Sequence, residues 1–288
     1  MADPRDRFMS PGGGEREGDV VGRARGTLVV RRRDIDVHPR PAGGDFDERT
    51  VVPFAVPDGL VGALGVYCVN TRERVLMVTY DDGPHESDTA RILDVLEEHG
   101  ARATFFVLAQ QARRHPEVVR RMVRDGHEVA LHGEDHRSLT TMSALEALRT
   151  IRRARRDVER IAGVRLRTYR PPYGHHSTLQ SLLLALAGLR VVLWSGDAQD
   201  WVDGDADHVA SLGRQAAFPG GMLLLHDNRA DPETLQPGQA LPAFDRAAVA
   251  QMLLEGLAAD GYRLVTVTDA MRDHQPVRSM ARQRMRGQ

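Results

Sequence analysis

Lysine is absent from this 288-residue chain: all 39 of its Lys/Arg positions are arginine. That excludes the chemistries that need a lysine amine, namely Schiff bases, pyridoxal phosphate anchoring and the phosphate grip of a P-loop. Cysteine is nearly absent too. Cys68 stands alone, which rules out an internal disulfide framework and a cysteine-built zinc knuckle. With 40 acidic residues the formal net charge is −1, so no global field recruits nucleic acid or an anionic membrane. Long apolar runs are missing as well. The longest aliphatic stretch, LQSLLLALAGLRVVLW, is broken by Gly188 and Arg190 and reads as a helix followed by a strand, far from the roughly eighteen unbroken apolar residues of a membrane span. The first 26 residues mix both charge signs with glycine and hold no apolar core of signal-peptide length, so the expectation is a soluble, cytoplasmic protein. What the chain does have is histidine, twelve of them, the natural place to look for metal or acid–base chemistry.

Residues 1–55 are rich in Gly, Arg and Asp and are expected to form a flexible arm, with one edge strand at Thr27–Val30 at most, because they bury too little apolar surface to offset ordering entropy. Residues 273–288 read as an Arg-rich flexible tail. Between them, 56–272 form a regular domain in which short apolar runs alternate with amphipathic stretches. The expected strands are 75–80, 103–108, 127–131, 166–170, 190–194, 221–225 and 262–267. The expected helices include one capped by Ser87 and stopped at Gly100, one opened by a Ser143–Glu146 capping box and ended at Gly163, and one over 245–261. The arginine-rich stretches around 112–126 and 152–160 read as solvated helix faces, because they lack the interleaved aromatics of a nucleic-acid surface. Strand–helix alternation with near-continuous apolar strands means a parallel sheet covered on both faces. About seven such units, with no Gly-rich dinucleotide turn, point to an α/β fold of the deformed (β/α) barrel type.

Polar residues fall just past the ends of successive strands: Asp81 and Asp82, His132, Arg170, Asp197 and Asp200, and His226. In a parallel barrel these ends share one rim. His132 and His136, four apart, can meet on one face of a turn and suit a single metal ion, and Asp82 from a neighbouring strand end completes a His₂–carboxylate set with an open position. Glu134 and Asp135 are competitors for ligation, less well placed than Asp82. Of the adjacent acids in TYDDGP, one can bind metal while the other acts as a base. Ser195 lacks the G-x-S-x-G elbow of a serine hydrolase, while His175 and His176 are candidates to line the cleft.

Five motifs in order carry a resemblance. TYDDGP (79–84), HGEDH (132–136), RPPY (170–173), DAQDW (197–201) and LLH (224–226) are similar to the T-F-D-D-G-P, H-S/T-x-x-H, R-x-P-Y, D-x-x-D-W and L-x-H motifs of the NodB homology domain. The stretch from about 74 to 268 therefore resembles the polysaccharide deacetylases of carbohydrate esterase family 4. Two departures stand out. Tyr80 replaces the usual Phe, and Gly133 replaces Ser/Thr. The loss of that hydroxyl is expected to loosen the metal loop, so that Gly133→Ser would tighten it.

The resemblance implies a divalent metal ion, usually zinc (Co²⁺, Ni²⁺ or Mn²⁺ otherwise), held by Asp82, His132 and His136. It also implies Asp81 as base, His226 as acid, Arg170 orienting Asp81, and the backbone N–H of Tyr173 holding the oxyanion. Asp200 would sit behind His226 or Arg170, and Asp197 could share its task. Trp201, Leu224, Pro172 and Tyr80 would line the substrate pocket. The implied reaction removes N-acetyl groups from an amino sugar or a short N-acetylated oligosaccharide of chitooligosaccharide or peptidoglycan type. An aromatic content of 5% offers few stacking platforms and favours a short substrate. Two alternatives remain at this point. One is an amidohydrolase of the same barrel acting on a non-sugar amide such as an allantoin-type ureide. The other is a non-catalytic glycan- or protein-binding barrel, against which the presence of both Asp81 and His226 argues.

Overall fold

Val75–Asp81 is buried at every position, and a strand of that kind needs hydrogen-bonded neighbours and cover on both faces. In the computed structural model, which describes residues 61–202, 204–228 and 242–279 and the backbone of two strands at 27–30 and 51–54, it lies at the centre of the main sheet. In chain order the strands are β1 (Thr27–Val30), β2 (Val51–Phe54), β3 (Gly65–Asn70), β4 (Val75–Asp81), β5 (Thr104–Leu108), β6 (Glu128–Gly133), β7 (Thr168–Tyr169), β8 (Arg190–Val191), β9 (Gly196–Asp197), β10 (Met222–His226), β11 (Arg263–Leu264) and β12 (Gln275–Ser279). The helices are α1 (Asp88–Glu98), α2 (Ala109–Arg114), α3 (Pro116–Arg124), α4 (Ala144–Ala162), α5 (Thr178–Leu186), α6 (Ala206–Ala216), α7 (Arg246–Ala259) and α8 (Val267–Asp273).

The main sheet has eight strands in the order β8-β7-β6-β5-β4-β10-β9, with β11 also on β4. Every pairing in it is parallel. Its two end strands belong to one run, Arg190–Asp197, which pairs with β7 where it starts and with β10 where it finishes. The sheet thus curls into the deformed barrel expected from the strand–helix alternation. Because all strands run the same way, the C-terminal ends of β4, β6, β7 and β10 lie on one rim.

Local sequence explains the helices in part. Ser143 accepts the Glu146 N–H at the start of α4, and Gly163 closes it with φ 71°. The complete reciprocal capping box lies elsewhere, at Ser177–Gln180 on α5. Ser87 occupies the N-cap position of α1 without a side-chain capping bond, its hydroxyl being turned to Asp88 and His85 instead. At the end of the barrel away from the rim, the Glu128 carboxylate accepts hydrogen bonds from the Thr104, Thr168 and Thr268 hydroxyls and the Thr268 N–H, pinning β5, β7 and α8 to β6.

Three expectations need correction. The tail is not free from 273: β12, inside it, pairs antiparallel with β3 and parallel with β1. The expected arm holds β1 and also β2, paired antiparallel with it. These strands pair through backbone groups, which composition does not display. The rest of the arm and tail lies outside the described residues. The last expected strand, 262–267, is shortened to two residues because Thr266 caps α8, accepting the Asp269 N–H.

Candidate active site

Seven side chains from five separate stretches come together at and just beneath the rim. Asp82 follows β4, and His132 lies at the end of β6, with His136 on the bend after it. Both imidazole Nε2 atoms lie 3.4 Å from Asp82 Oδ1, and one ligand atom from each of the three residues falls within 4.8 Å of the others. His132 Nδ1 donates to the Arg170 carbonyl at 2.8 Å, which leaves Nε2 with its lone pair toward Asp82, the outer hydrogen bond expected of a ligating histidine. Burial pushes the Asp82 carboxyl up, but His136 first, then His132 and His226, hold it well below the usual carboxylate range. Two imidazole nitrogens and one carboxylate oxygen, all near one point, suit a divalent cation. Glu134 and Asp135 are drawn off by Arg113 and Arg137 and do not compete.

Asp81 belongs to a second constellation. Arg170, fully buried, donates from Nη1 to Asp81 Oδ1 at 2.7 Å and to Thr79 Oγ1 at 2.8 Å. Its Nη2 reaches the Leu193 carbonyl at 2.9 Å, and the guanidinium lies 4.0 Å over the Phe106 ring. The arginine spans the barrel interior from β7 to β4 and to the 190–197 run. It occupies Asp81 Oδ1 and leaves Oδ2 for other work.

The third group centres on His226 at the end of β10. Its Nδ1 lies 2.7 Å from Asp200 Oδ1, and its backbone N–H donates to Asp200 Oδ2 at 2.7 Å. Asp200 therefore sits behind His226, which settles the choice between His226 and Arg170. Burial opposes charge on His226, but Asp200, and more weakly Asp82 and Asp81, outweigh it and raise its pKa to about 9. Trp201 stands edge-on to the His226 ring at 6.1 Å, and Leu224 is buried on the same strand. Arg246, at the start of α7, donates to Asp200 Oδ2 at 2.9 Å and to the His226 carbonyl at 2.7 Å. Asp197 is buried, with its Oδ1 accepting the Gln199 N–H. Burial raises its pKa well above the usual value, with Asp200 and Asp81 adding to this against the Gln199 bond. Among the described residues it hydrogen-bonds neither His226 nor Arg170.

Tyr173 lies in the short turn Pro172–Gly174, with left-handed φ 59°. Its ring is 4.4 Å from that of His136 and 5.5 Å from that of His175. His175 and His176 are buried beneath the rim: His175 Nδ1 pairs with Ser138 Oγ, and His176 Nδ1 donates to the Gly174 carbonyl. Pro172 is likewise buried. Ser195 Oγ accepts the Met222 N–H, a structural role.

Two sequence expectations are overturned. Tyr80 is not a pocket residue. It stacks on Phe105 at 5.2 Å within the helix-facing core, because it alternates with Thr79 and Asp81 along β4. Gly133 does not mark a looser loop waiting for a hydroxyl. With φ 156°, a Cβ there would come 2.6 Å from the Asp135 carbonyl oxygen. Gly133→Ser is therefore expected to displace the His132–His136 bend and weaken divalent-metal uptake, as read by titrating Zn²⁺ into chelator-stripped protein. Tighter uptake would contradict this.

Thr79, Arg246 and Asp227 were not read from the sequence as parts of the site. Asp227 directly follows His226, so an acid next to LLH was visible. Arg246 looks like any first-turn residue after the Asp245 cap, and nothing linear ties it to Asp200, 46 positions earlier.

The fold and site define a parallel α/β barrel protein with a histidine–histidine–carboxylate set at the C-terminal rim, flanked by an Asp–Arg pair and an Asp–His pair. The chain belongs to the polysaccharide deacetylase family. The profile of that family, Polysaccharide deacetylase, matches residues 69–192. The chain is 32% identical over 200 residues to the peptidoglycan-N-acetylmuramic acid deacetylase PdaC of Bacillus subtilis, covering 69% of this chain and 39% of that protein. It is 36% identical over 173 residues to a chitooligosaccharide deacetylase of Sinorhizobium fredii, covering 60% of this chain and 76% of that one. The solved structure of PdaC from Bacillus subtilis superposes with a TM-score of 0.60 at 32% identity, over 71% of this chain and 93% of that one. The chain thus spans about two fifths of the length of one relative and about three quarters of the other. No helix among the described residues is long and apolar enough to cross a membrane.

Proposed function

We propose that this protein hydrolyses the N-acetyl group of an amino sugar or a short N-acetylated oligosaccharide. The observation that carries the reading is the convergence of both imidazole Nε2 atoms on Asp82 Oδ1, with a carboxylate on one side and a carboxylate-backed histidine on the other. Asp82, His132 and His136 would hold a divalent ion, zinc by preference for two nitrogens and one carboxylate. Such an ion, when bound, supplies a Lewis acid that acidifies water and polarises an amide carbonyl.

The chain's own residues do the rest. Asp81 takes on Oδ2 the proton of the water that attacks the amide carbonyl, since Oδ1 is engaged by Arg170. The backbone N–H of Tyr173, at the rim beside His136, donates to the oxyanion that forms as the amide carbonyl is attacked. His226, charged at neutral pH, gives a proton from Nε2 to the departing sugar amine, while Asp200 keeps Nδ1 protonated and the ring fixed. Trp201 and Leu224 offer an apolar wall for the acetyl methyl. The named relatives, which act on peptidoglycan and chitooligosaccharide acetamides, favour a sugar amide over the ureide alternative.

The acid role fixes a pH dependence. His226 donates only while protonated, so activity falls as pH rises through its pKa. Asp200→Asn removes the carboxylate that raises that pKa while burial still depresses it. The alkaline limb of kcat/KM should therefore move down by more than about one unit. A limb that stays in place would remove His226 from the acid role. The substrate test is incubation of zinc-loaded protein with N-acetylated mono- to hexasaccharides of chitin and peptidoglycan type, followed by mass spectrometry. Loss of acetyl mass is expected, and its absence across the series in protein with bound zinc would overturn the proposal.

A further inference from the structure

Asp82 meets the two histidines from a backbone that side chains rarely adopt, with left-handed φ 79°, a conformation disfavoured outside glycine. The turn that presents it must be held, and Asp227 holds it in two places. Its backbone N–H donates to the Asp81 carbonyl at 3.2 Å. Its carboxyl lies where a side chain at Gly83 would be: a Cβ there would stand 2.1 Å from Asp227 Oδ2 and 2.3 Å from Oδ1. Gly83 is further tied by its carbonyl, which accepts the Leu108 N–H at 2.9 Å.

The carboxyl is braced from behind. Thr89 Oγ1 donates to Asp227 Oδ2 at 2.7 Å and itself accepts the His85 N–H at 2.7 Å, which links the bracing to the first turn of α1. Asp227 is 1% exposed, and its Oδ1 has no hydrogen-bond partner among the described residues. A buried carboxyl oxygen without a partner costs stability. If filling space were the only demand, an apolar side chain of similar shape would serve better.

We propose that Asp227 is a positioning residue: braced by Thr89, its carboxyl clamps the Asp81–Gly83 turn so that the Asp82 carboxylate is aimed at His132 and His136. The proposal rests on the reading of those three residues as a metal site. It concerns a residue that touches neither substrate nor reacting atoms in the proposed reaction.

The test is titration of Zn²⁺ into the chelator-stripped full chain, for wild type, Asp227→Ala, Asp227→Asn and Thr89→Val, with thermal unfolding of the stripped proteins alongside. Asp227→Ala should weaken zinc binding about 10- to 100-fold, the scale on which outer partners of metal ligands act. Asp227→Asn, which keeps the shape and an acceptor for Thr89, should restore most of that loss. Thr89→Val should fall between the two, and it keeps the question answerable if Asp227→Ala does not fold. A merely structural role would lower the unfolding temperature and leave zinc affinity where it was. Wild-type affinity in Asp227→Ala or Thr89→Val, or equal losses in the Ala and Asn variants, would overturn the proposal alone. Wild-type protein that takes up no zinc would overturn the metal reading and this proposal together.

Discussion

Asp81→Asn is expected to lower kcat by about 10³- to 10⁴-fold, the upper range of what a positioned proton acceptor contributes, while bound metal is retained. The substitution is nearly isosteric. Asparagine can still accept from Arg170 Nη1 through its carbonyl oxygen, so the 2.7 Å contact survives in form. What is lost is the basic Oδ2 and the negative charge opposite a fully buried guanidinium. Removing one partner of a buried ion pair costs roughly 3–5 kcal/mol. Arg170 keeps its bonds to Thr79 and the Leu193 carbonyl and its place over Phe106, so the cost should fall below that range and appear as a lowered unfolding temperature in a folded protein. Asp82, His132 and His136 are untouched, so zinc content after dialysis should match wild type. Steady-state kinetics and metal analysis on the same sample check both halves. A wild-type rate would remove Asp81 from the base role.

His132→Ala is expected to abolish both turnover and metal binding. The side chain has two tasks that alanine cannot share. Nε2 faces Asp82, and Nδ1 satisfies the Arg170 carbonyl at 2.8 Å. Losing an outer hydrogen-bonding partner of a metal ligand costs about 10- to 100-fold in affinity, so losing a ligand itself should cost at least about 100-fold. The buried Arg170 carbonyl is left without its donor, and Asp82 loses one of the histidines that hold its pKa down. Calorimetric titration with Zn²⁺ measures the first effect and acetate release the second. The contrast that matters is with His226→Ala, which should lose turnover and keep the metal. A His132→Ala protein that binds zinc stoichiometrically and tightly would dismantle the proposed centre.

Much of this architecture was legible without coordinates. The buried run of β4 and the apolar runs of β5, β6 and β10 announced a parallel sheet, and the polar residues at their ends announced the rim. The short strands were harder. β7 and β8 are two residues each, and the final expected strand gives way to a capped helix at Thr266 because a threonine serves equally as β-former and N-cap. Of the sheet of β1, β2, β3 and β12 only β1 was expected: β2, β3 and β12 are runs of four to six residues, VVPF, GVYCVN and QPVRS, and their pairing with distant parts of the chain leaves no local signal.

In the site the division follows chemistry. The trio of Asp82, His132 and His136 could be assembled from motifs, because each lies at or just past a strand end. Tyr80 was misplaced because an aromatic beside two aspartates looks like part of the site, whereas strand alternation turns it to the other face. Gly133 was misread because a missing hydroxyl is visible in a sequence and a 2.6 Å approach to the Asp135 carbonyl is not.

Residue identities, their order and their position at strand ends were properties of the linear chain, since parallel strands bring all their C-terminal ends to one side whatever their neighbours. Which atoms face which was decided only by folding. That Asp200 backs His226 and not Arg170, that Arg246 grips the same carboxylate, and that Asp227 lies against Gly83 all depend on strand order and register. Those join residues 26 to 144 positions apart, and no local rule couples positions at such distances.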